Sequence, residues 1–160
     1  MSKLDVIPTT SRREFCACCG RAAGLLALGA AAGCGGNSST GPSSSGGQAL
    51  PSASATVSGR TVSIQAGAGT TLASTGGMAV AQTSIGTFLV SRTGATSATA
   101  LTAVCTHEGC TITDFSGSQF ICPCHGSTFT NTGAVTKGPA NRSLQQFNTQ
   151  VTGDVISFTA

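Results

Sequence analysis

The sequence predicts a small all-β domain, an antiparallel sandwich or barrel, over residues 55–160. From residue 56 onward apolar residues recur with short period and are bounded by Gly, Asn, Asp and Ser, which is the pattern of strands. No stretch carries helical periodicity of useful length. Two tight-turn signals, Ser116-Gly117-Ser118 and Gly153-Asp154, separate apolar runs as hairpin loops do.

The expected strands fall in order at 56–64, 78–81, 87–91, 100–104, 111–115, 119–122, 144–151 and 155–158. Val57, Val62 and Ile64 supply the apolar positions of the first, and Met78 and Val80 those of the second. Phe88, Leu89 and Val90 make the third an apolar run, and Leu101 and Val104 mark the fourth. Ile112 and Phe115 belong to the fifth, Phe120 and Ile121 to the sixth. Leu144, Phe147 and Val151 space the seventh, and Val155, Ile156 and Phe158 the last. A core of Val, Ile, Leu and Phe with no Trp or Tyr is modest, and covalent staples help such a core.

The chain has 160 residues, 22 of them Gly and only 8% charged. That length holds one small domain and excludes a large multidomain enzyme. Four of its eight cations, Lys3, Arg12, Arg13 and Arg21, lie in the first 34 residues. Beyond them Arg60, Arg92, Lys137 and Arg142 face Glu108, Asp114 and Asp154, a balance of +1. Nucleic-acid binders cluster Lys and Arg on one face, so a nucleic-acid partner is not expected.

Residues 1–33 read as an export signal, with basic residues, then an Ala-rich apolar run over 22–33, then small residues. That run is shorter than the roughly 20 residues of a membrane-spanning helix. Extending it back to Phe15 places Arg21 inside. Ser11-Arg12-Arg13-Glu14-Phe15 resembles the twin-arginine signal, which exports folded proteins; an ordinary basic leader is the alternative. Ala31-Ala32-Gly33-Cys34 resembles a lipoprotein cleavage box, with Ala31 where Leu is usual, and implies lipidation of Cys34. A plain cleavage site is the alternative there. Residues 34–54, rich in Gly, Ser, Pro and Ala with no charge after Cys34, are expected to be a flexible tether.

Of the eight cysteines, Cys16, Cys18, Cys19 and Cys34 lie in the first 34 residues; the other four and both histidines of the chain fall in two short runs. These are Cys105-Thr106-His107-Glu108-Gly109-Cys110 and Cys122-Pro123-Cys124-His125-Gly126-Ser127. Two Cys with two His suit tetrahedral zinc, but zinc does not call for a further Cys pair or for Gly109 and Ser127. The two runs resemble the C-x-H-x-G-C and C-P-C-H-G-S loops of Rieske iron-sulfur proteins at every signature position. That resemblance implies a [2Fe-2S] cluster, with Cys105 and Cys122 on one iron and His107 and His125 on the other. It implies a disulfide between Cys110 and Cys124 clamping the loops together, as an oxidising compartment permits. Imidazole in place of two thiolates reduces the negative charge on the centre and raises its potential.

By the same resemblance Ser127 donates a hydrogen bond to a bridging sulfide. Phe129 stands where high-potential members carry a Tyr that bonds a ligand sulfur, so a potential below the top of the range of about −150 to +300 mV is expected. Gly138-Pro139-Ala140 resembles the proline loop that covers the cluster from a third side. Glu108 occupies a position that is usually Leu in cytochrome bc complexes, and a carboxylate is costly to bury in an apolar quinol pocket.

The function expected is a membrane-tethered one-electron carrier outside the cytoplasmic membrane, exchanging electrons with a cytochrome or an oxidoreductase subunit. Two alternatives stand beside it. One is the Rieske subunit of a quinol-oxidising complex, or of an exported oxidoreductase such as arsenite oxidase. In the quinol case His107 or His125 accepts the proton. The other is a structural zinc module. A Rieske oxygenase is excluded, because its mononuclear iron needs two more His and a carboxylate in a further domain.

Overall fold

The computed structural model describes residues 46–160. The leader reading, with Arg12, Arg13 and Cys34, lies outside these residues. Within them the chain forms thirteen strands and one 3-10 turn: β1 (Gln48–Ala49), β2 (Ala55–Ser58), β3 (Thr61–Gln65), the turn Thr71–Ala73, β4 (Met78–Thr83), β5 (Gly86–Arg92), β6 (Ala98–Thr102), β7 (Asp114–Ser116), β8 (Gln119–Ile121), β9 (Thr128–Thr130), β10 (Val135–Lys137), β11 (Gln146–Phe147), β12 (Thr149–Thr152) and β13 (Val155–Thr159). The domain is all-β, as the sequence predicts. Among the described residues no helix is long and apolar enough to cross a membrane.

The strands make three sheets, ordered β1-β7-β8-β9-β10, β11-β6-β5-β4 and β12-β13-β3-β2. Every strand pairing is antiparallel. Side chains alternate across a strand, and the middle sheet uses both faces. Val80, Leu89 and Leu101 enter one core with Ile112, Phe120, Phe129, Cys105 and Cys122. Their neighbours Ala79, Ala81, Phe88, Val90 and Ala100 enter a second with Val62, Ile64, Ile156 and Phe158. Phe88, Phe147 and Phe158 close the second core as a triangle of rings with centroids 5.0–5.5 Å apart. The first core is the floor beneath the Cys-His loops.

Both anticipated hairpins form. Ser116 pairs with Gln119 around Gly117 (φ 57°), and Thr152 with Val155 around Gly153 (φ 55°). Several boundaries differ from expectation. The run 56–64 is two strands folded back at Gly59, whose φ of 60° is a left-handed turn conformation suited to glycine. The run 144–151 is also two strands in different sheets, because the chain leaves β6 after Phe147 and joins β13 from Thr149. In 111–115 only the end is strand; Thr111 makes an isolated bridge to Val104, which is 52% exposed. Strands β9 and β10 were not anticipated.

The last residues of the stretch 34–54, expected to be a tether, are structured. Gln48 and Ala49 pair with Phe115 and Asp114, Leu50 is buried in the first core, and the Leu50 amide donates to Thr113 O at 2.7 Å. A single large apolar side chain with backbone pairing outweighs the flexible composition around it.

Candidate metal centre

The two Cys-His runs fold into matching loops. In the first, between β6 and β7, Cys105 N donates to Cys110 O at 2.9 Å and Gly109 N to Cys105 O at 2.9 Å. In the second, between β8 and β9, Cys122 N donates to Ser127 O at 2.8 Å and Gly126 N to Cys122 O at 3.0 Å. Each loop therefore bonds residue i to i+5 and i+4 back to i. Gly109 and Gly126 sit at the same point of each turn with φ of 77° and 71°, a region where a side chain is strained.

Cys110 and Cys124 are joined by a disulfide that bolts loop to loop, as the resemblance implied. The other two described cysteines, Cys105 and Cys122, are free and buried. The Cys105 thiol neighbours that of Cys122. Burial, with that neighbouring thiol, pushes the Cys122 thiol above its ordinary range, while the backbone N–H groups of Cys124 and His125 pull it down. Above them the His107 and His125 rings stand edge to face, with centroids 5.0 Å apart and planes at 86°. Both reach solvent.

A third segment closes the site. Gly138-Pro139 is a cis peptide, and the next residue, Ala140, is buried and donates its amide to Ser127 Oγ at 3.0 Å. Ser127 is fully buried, and with that bond made its own O–H remains to donate. Phe129 is fully buried in the first core, paired with Phe120 and Val135. The next turn is tied to the first loop by Thr106 Oγ1, which donates to Arg142 O at 2.6 Å.

The donor chemistry fits the cluster that the resemblance implies. Two soft thiols lie side by side in a buried floor, two imidazoles lie above them, and backbone N–H groups point at a sulfur. Burial disfavours the Cys122 thiolate unless a cation compensates it. Cys110 and Cys124 lie within 4.8 Å of Cys122, but their sulfurs are bonded to each other, so neither is a thiolate donor.

The Rieske [2Fe-2S] domain model matches residues 63–148, more than half of the chain and both loops. The chain belongs to the Rieske [2Fe-2S] family. Its cofactor is the Rieske [2Fe-2S] cluster. Relatives with similar sequence include the cytochrome b6-f complex iron-sulfur subunits of Cyanothece sp. (strain PCC 7425 / ATCC 29141), 52% identical over 60 residues, and of Synechococcus sp. (strain JA-3-3Ab), 43% identical over 74 residues. These matches cover 37% and 46% of this Rieske chain and 34% and 43% of the relatives. The chain thus spans well under half the length of the curated relatives it matches. Among solved structures, the plasma membrane Rieske protein PetC3 of Synechocystis PCC 6803 is 38% identical, with a TM-score of 0.47 over 52% of this chain and 87% of that one. A chain from the complex of oxygenase and ferredoxin in carbazole 1,9a-dioxygenase shares the fold at 20% identity and a TM-score of 0.51, over 64% of this chain and 94% of that one.

The structure brings together every loop residue singled out from the sequence. What sequence reading missed is the placement of Glu108. Its Oε1 lies 3.9 Å from His107 Nε2 and its Oε2 3.8 Å from His125 Nδ1. Its departure from the usual Leu marked the position, but nothing in the spacing showed that one carboxylate spans both rings. The Ala140 amide was missed likewise, because backbone donors leave no mark in a sequence.

Proposed function

We propose that this Rieske protein is a one-electron carrier in which Cys105 and Cys122 hold one iron and His107 and His125 the other. The observation that carries this reading is the pair of free, buried thiols beneath two solvent-reaching imidazoles, on loops locked by the Cys110–Cys124 disulfide. When bound, the cluster supplies a one-electron couple of raised potential. The thiols lie in the dry floor, where they are shielded from oxidation and competing metals. The imidazoles form the surface a partner touches, giving the shortest path out of the protein.

The Ser127 hydroxyl, fixed by the Ala140 amide, is positioned to donate a hydrogen bond toward a sulfur and raise the potential. Phe129 supplies no second donor, which supports a potential below the top of the Rieske range. Gly138 and Pro139 shape the wall that excludes water from the third side. Partners are a donor and an acceptor protein such as a cytochrome or an oxidoreductase subunit. Export through Arg12 and Arg13, and anchoring through lipidated Cys34, are part of this proposal and rest on the leader sequence. They agree with a disulfide, which an oxidising compartment favours.

A second reading, the iron-sulfur subunit of a quinol-oxidising complex, is favoured by the similarity to cytochrome b6-f subunits. In it an imidazole nitrogen accepts the quinol proton. A redox titration of the reduced-state EPR signal at several pH values separates the two. A low midpoint indifferent to pH until strongly alkaline conditions supports the carrier. A positive midpoint falling through the mildly alkaline range supports the quinol subunit. Absence of a Rieske signal after iron loading overturns both.

A further inference from the structure

We infer that Glu108 is a charge-setting residue of the metal centre: its carboxylate, lying against both imidazoles, lowers the potential of the iron they hold. This rests on the cluster reading above. The first loop turns on the Gly109-to-Cys105 hydrogen bond, which lifts residues 106–108 to the tip. There the Glu108 side chain is 62% exposed, and its two oxygens come within 3.9 and 3.8 Å of a nitrogen in each ring. Among the described residues these are its ion-pair contacts, and no lysine or arginine neutralises it.

The rest of the surface sharpens the assignment. Asp114 is buried on β7 and Asp154 lies in the β12–β13 hairpin, so neither carboxylate belongs to the tip. Two cations share cavities with the rings. Arg142 lines a cavity of about 580 Å³ against His107, and Lys137 lines one of about 310 Å³ against His125. Reduction adds one negative charge to the centre. A fixed negative charge at the imidazoles opposes that step, and these cations favour it, each attenuated by the high dielectric of an exposed site. Among the described residues Glu108 alone makes ion-pair contacts to the imidazoles, so its effect is the larger.

The test compares midpoints of the iron-loaded full chain with Glu108→Gln, Glu108→Asp, Glu108→Lys and Lys137→Gln, by EPR-monitored titration at one pH and two salt concentrations. Visible circular dichroism checks that the cluster environment is retained. Glu108→Gln, which keeps size and polarity, raises the midpoint by a threefold to tenfold change in the ratio of reduced to oxidised protein, tenfold being about 59 mV for a one-electron couple. Glu108→Lys moves further the same way, Glu108→Asp stays near the parent, and Lys137→Gln moves slightly in the opposite direction. The shifts shrink in 1 M salt, where the screening length falls to about 3 Å. A Rieske signal with an unchanged Glu108→Gln midpoint overturns this inference and leaves the cluster reading standing. A shift that ignores salt assigns the effect to contact rather than charge and also overturns it. No Rieske signal in the parent overturns both.

Discussion

The Ala140 amide donates to the Ser127 hydroxyl at 3.0 Å, in a fully buried contact between segments 13 residues apart. This bond joins the loop after β10 to the second Cys-His loop. It also removes one acceptor direction from the hydroxyl, so that the proton is left pointing elsewhere. The Ser127 hydroxyl is thereby oriented by a backbone group that any residue but proline at 140 could supply.

Ser127→Ala leaves that buried amide without a partner, at a cost of about 1–3 kcal/mol. The iron-free protein is expected to lose stability by that amount. In the loaded protein the midpoint falls as well, because a donor toward sulfur is lost. Thermal unfolding and an EPR-monitored titration measure the two effects separately.

The Cys110–Cys124 disulfide closes a loop with a sequence separation of 14, for which chain entropy predicts about 3 kcal/mol. The double substitution Cys110→Ala, Cys124→Ala is expected to lose this in denaturant unfolding of the iron-free protein. The loaded protein then releases iron faster to a chelator, since the loops are no longer held together.

Gly77 and Gly126 should respond differently to alanine. A side chain at Gly77 meets the Thr71 carbonyl and lies 3.0 Å from Ser74 O. Backbone cannot yield as a flexible side chain does, so about 3 kcal/mol is lost, the upper end for overpacking. At Gly126 nothing lies within 4 Å, and only the left-handed φ of 71° resists, which costs about 1–2 kcal/mol. Gly126→Ala is expected to fold but to lose iron more readily. Denaturant midpoints with iron content per chain distinguish the two.

Burial holds the Cys122 thiol above its ordinary value of 9.0 in the iron-free fold. Below 9.0 the thiol is protonated in both folded and unfolded chains, and the preference for the neutral form is fully present. As the pH rises past 9.0 the unfolded chain ionises first, so stability falls. Cys122→Ser should flatten this alkaline loss. Unfolding of the iron-free protein between pH 8 and 10.5, roughly the window around an ordinary thiol, checks it.

Much of the fold was legible because strands with an apolar face show it. The runs containing Phe88-Leu89-Val90 and Phe120-Ile121 became β5 and β8. Strands β9 and β10 escaped notice because Thr128–Thr130 and Val135–Lys137 each offer one large apolar residue among threonines and a lysine. Strand β1 was hidden by its Gly- and Ser-rich surroundings, with only Leu50 to betray burial. The run 144–151 looked continuous because a change of sheet at Asn148 does not interrupt apolar spacing.

The sequence by itself determined the chemistry on offer: two pairs of Cys and two His, in runs whose order and glycines permit a mixed sulfur and nitrogen donor set. Such information is local, since ligand type and turn glycines act within a few residues. The resemblance implied which cysteines bond; the tertiary structure showed the bond and buried the free pair in the floor. It alone brought Ala140 to Ser127 and laid Glu108 across both imidazoles. Those relationships depend on how separate loops are carried toward one another by the sheets beneath, and spacing along the chain does not record them.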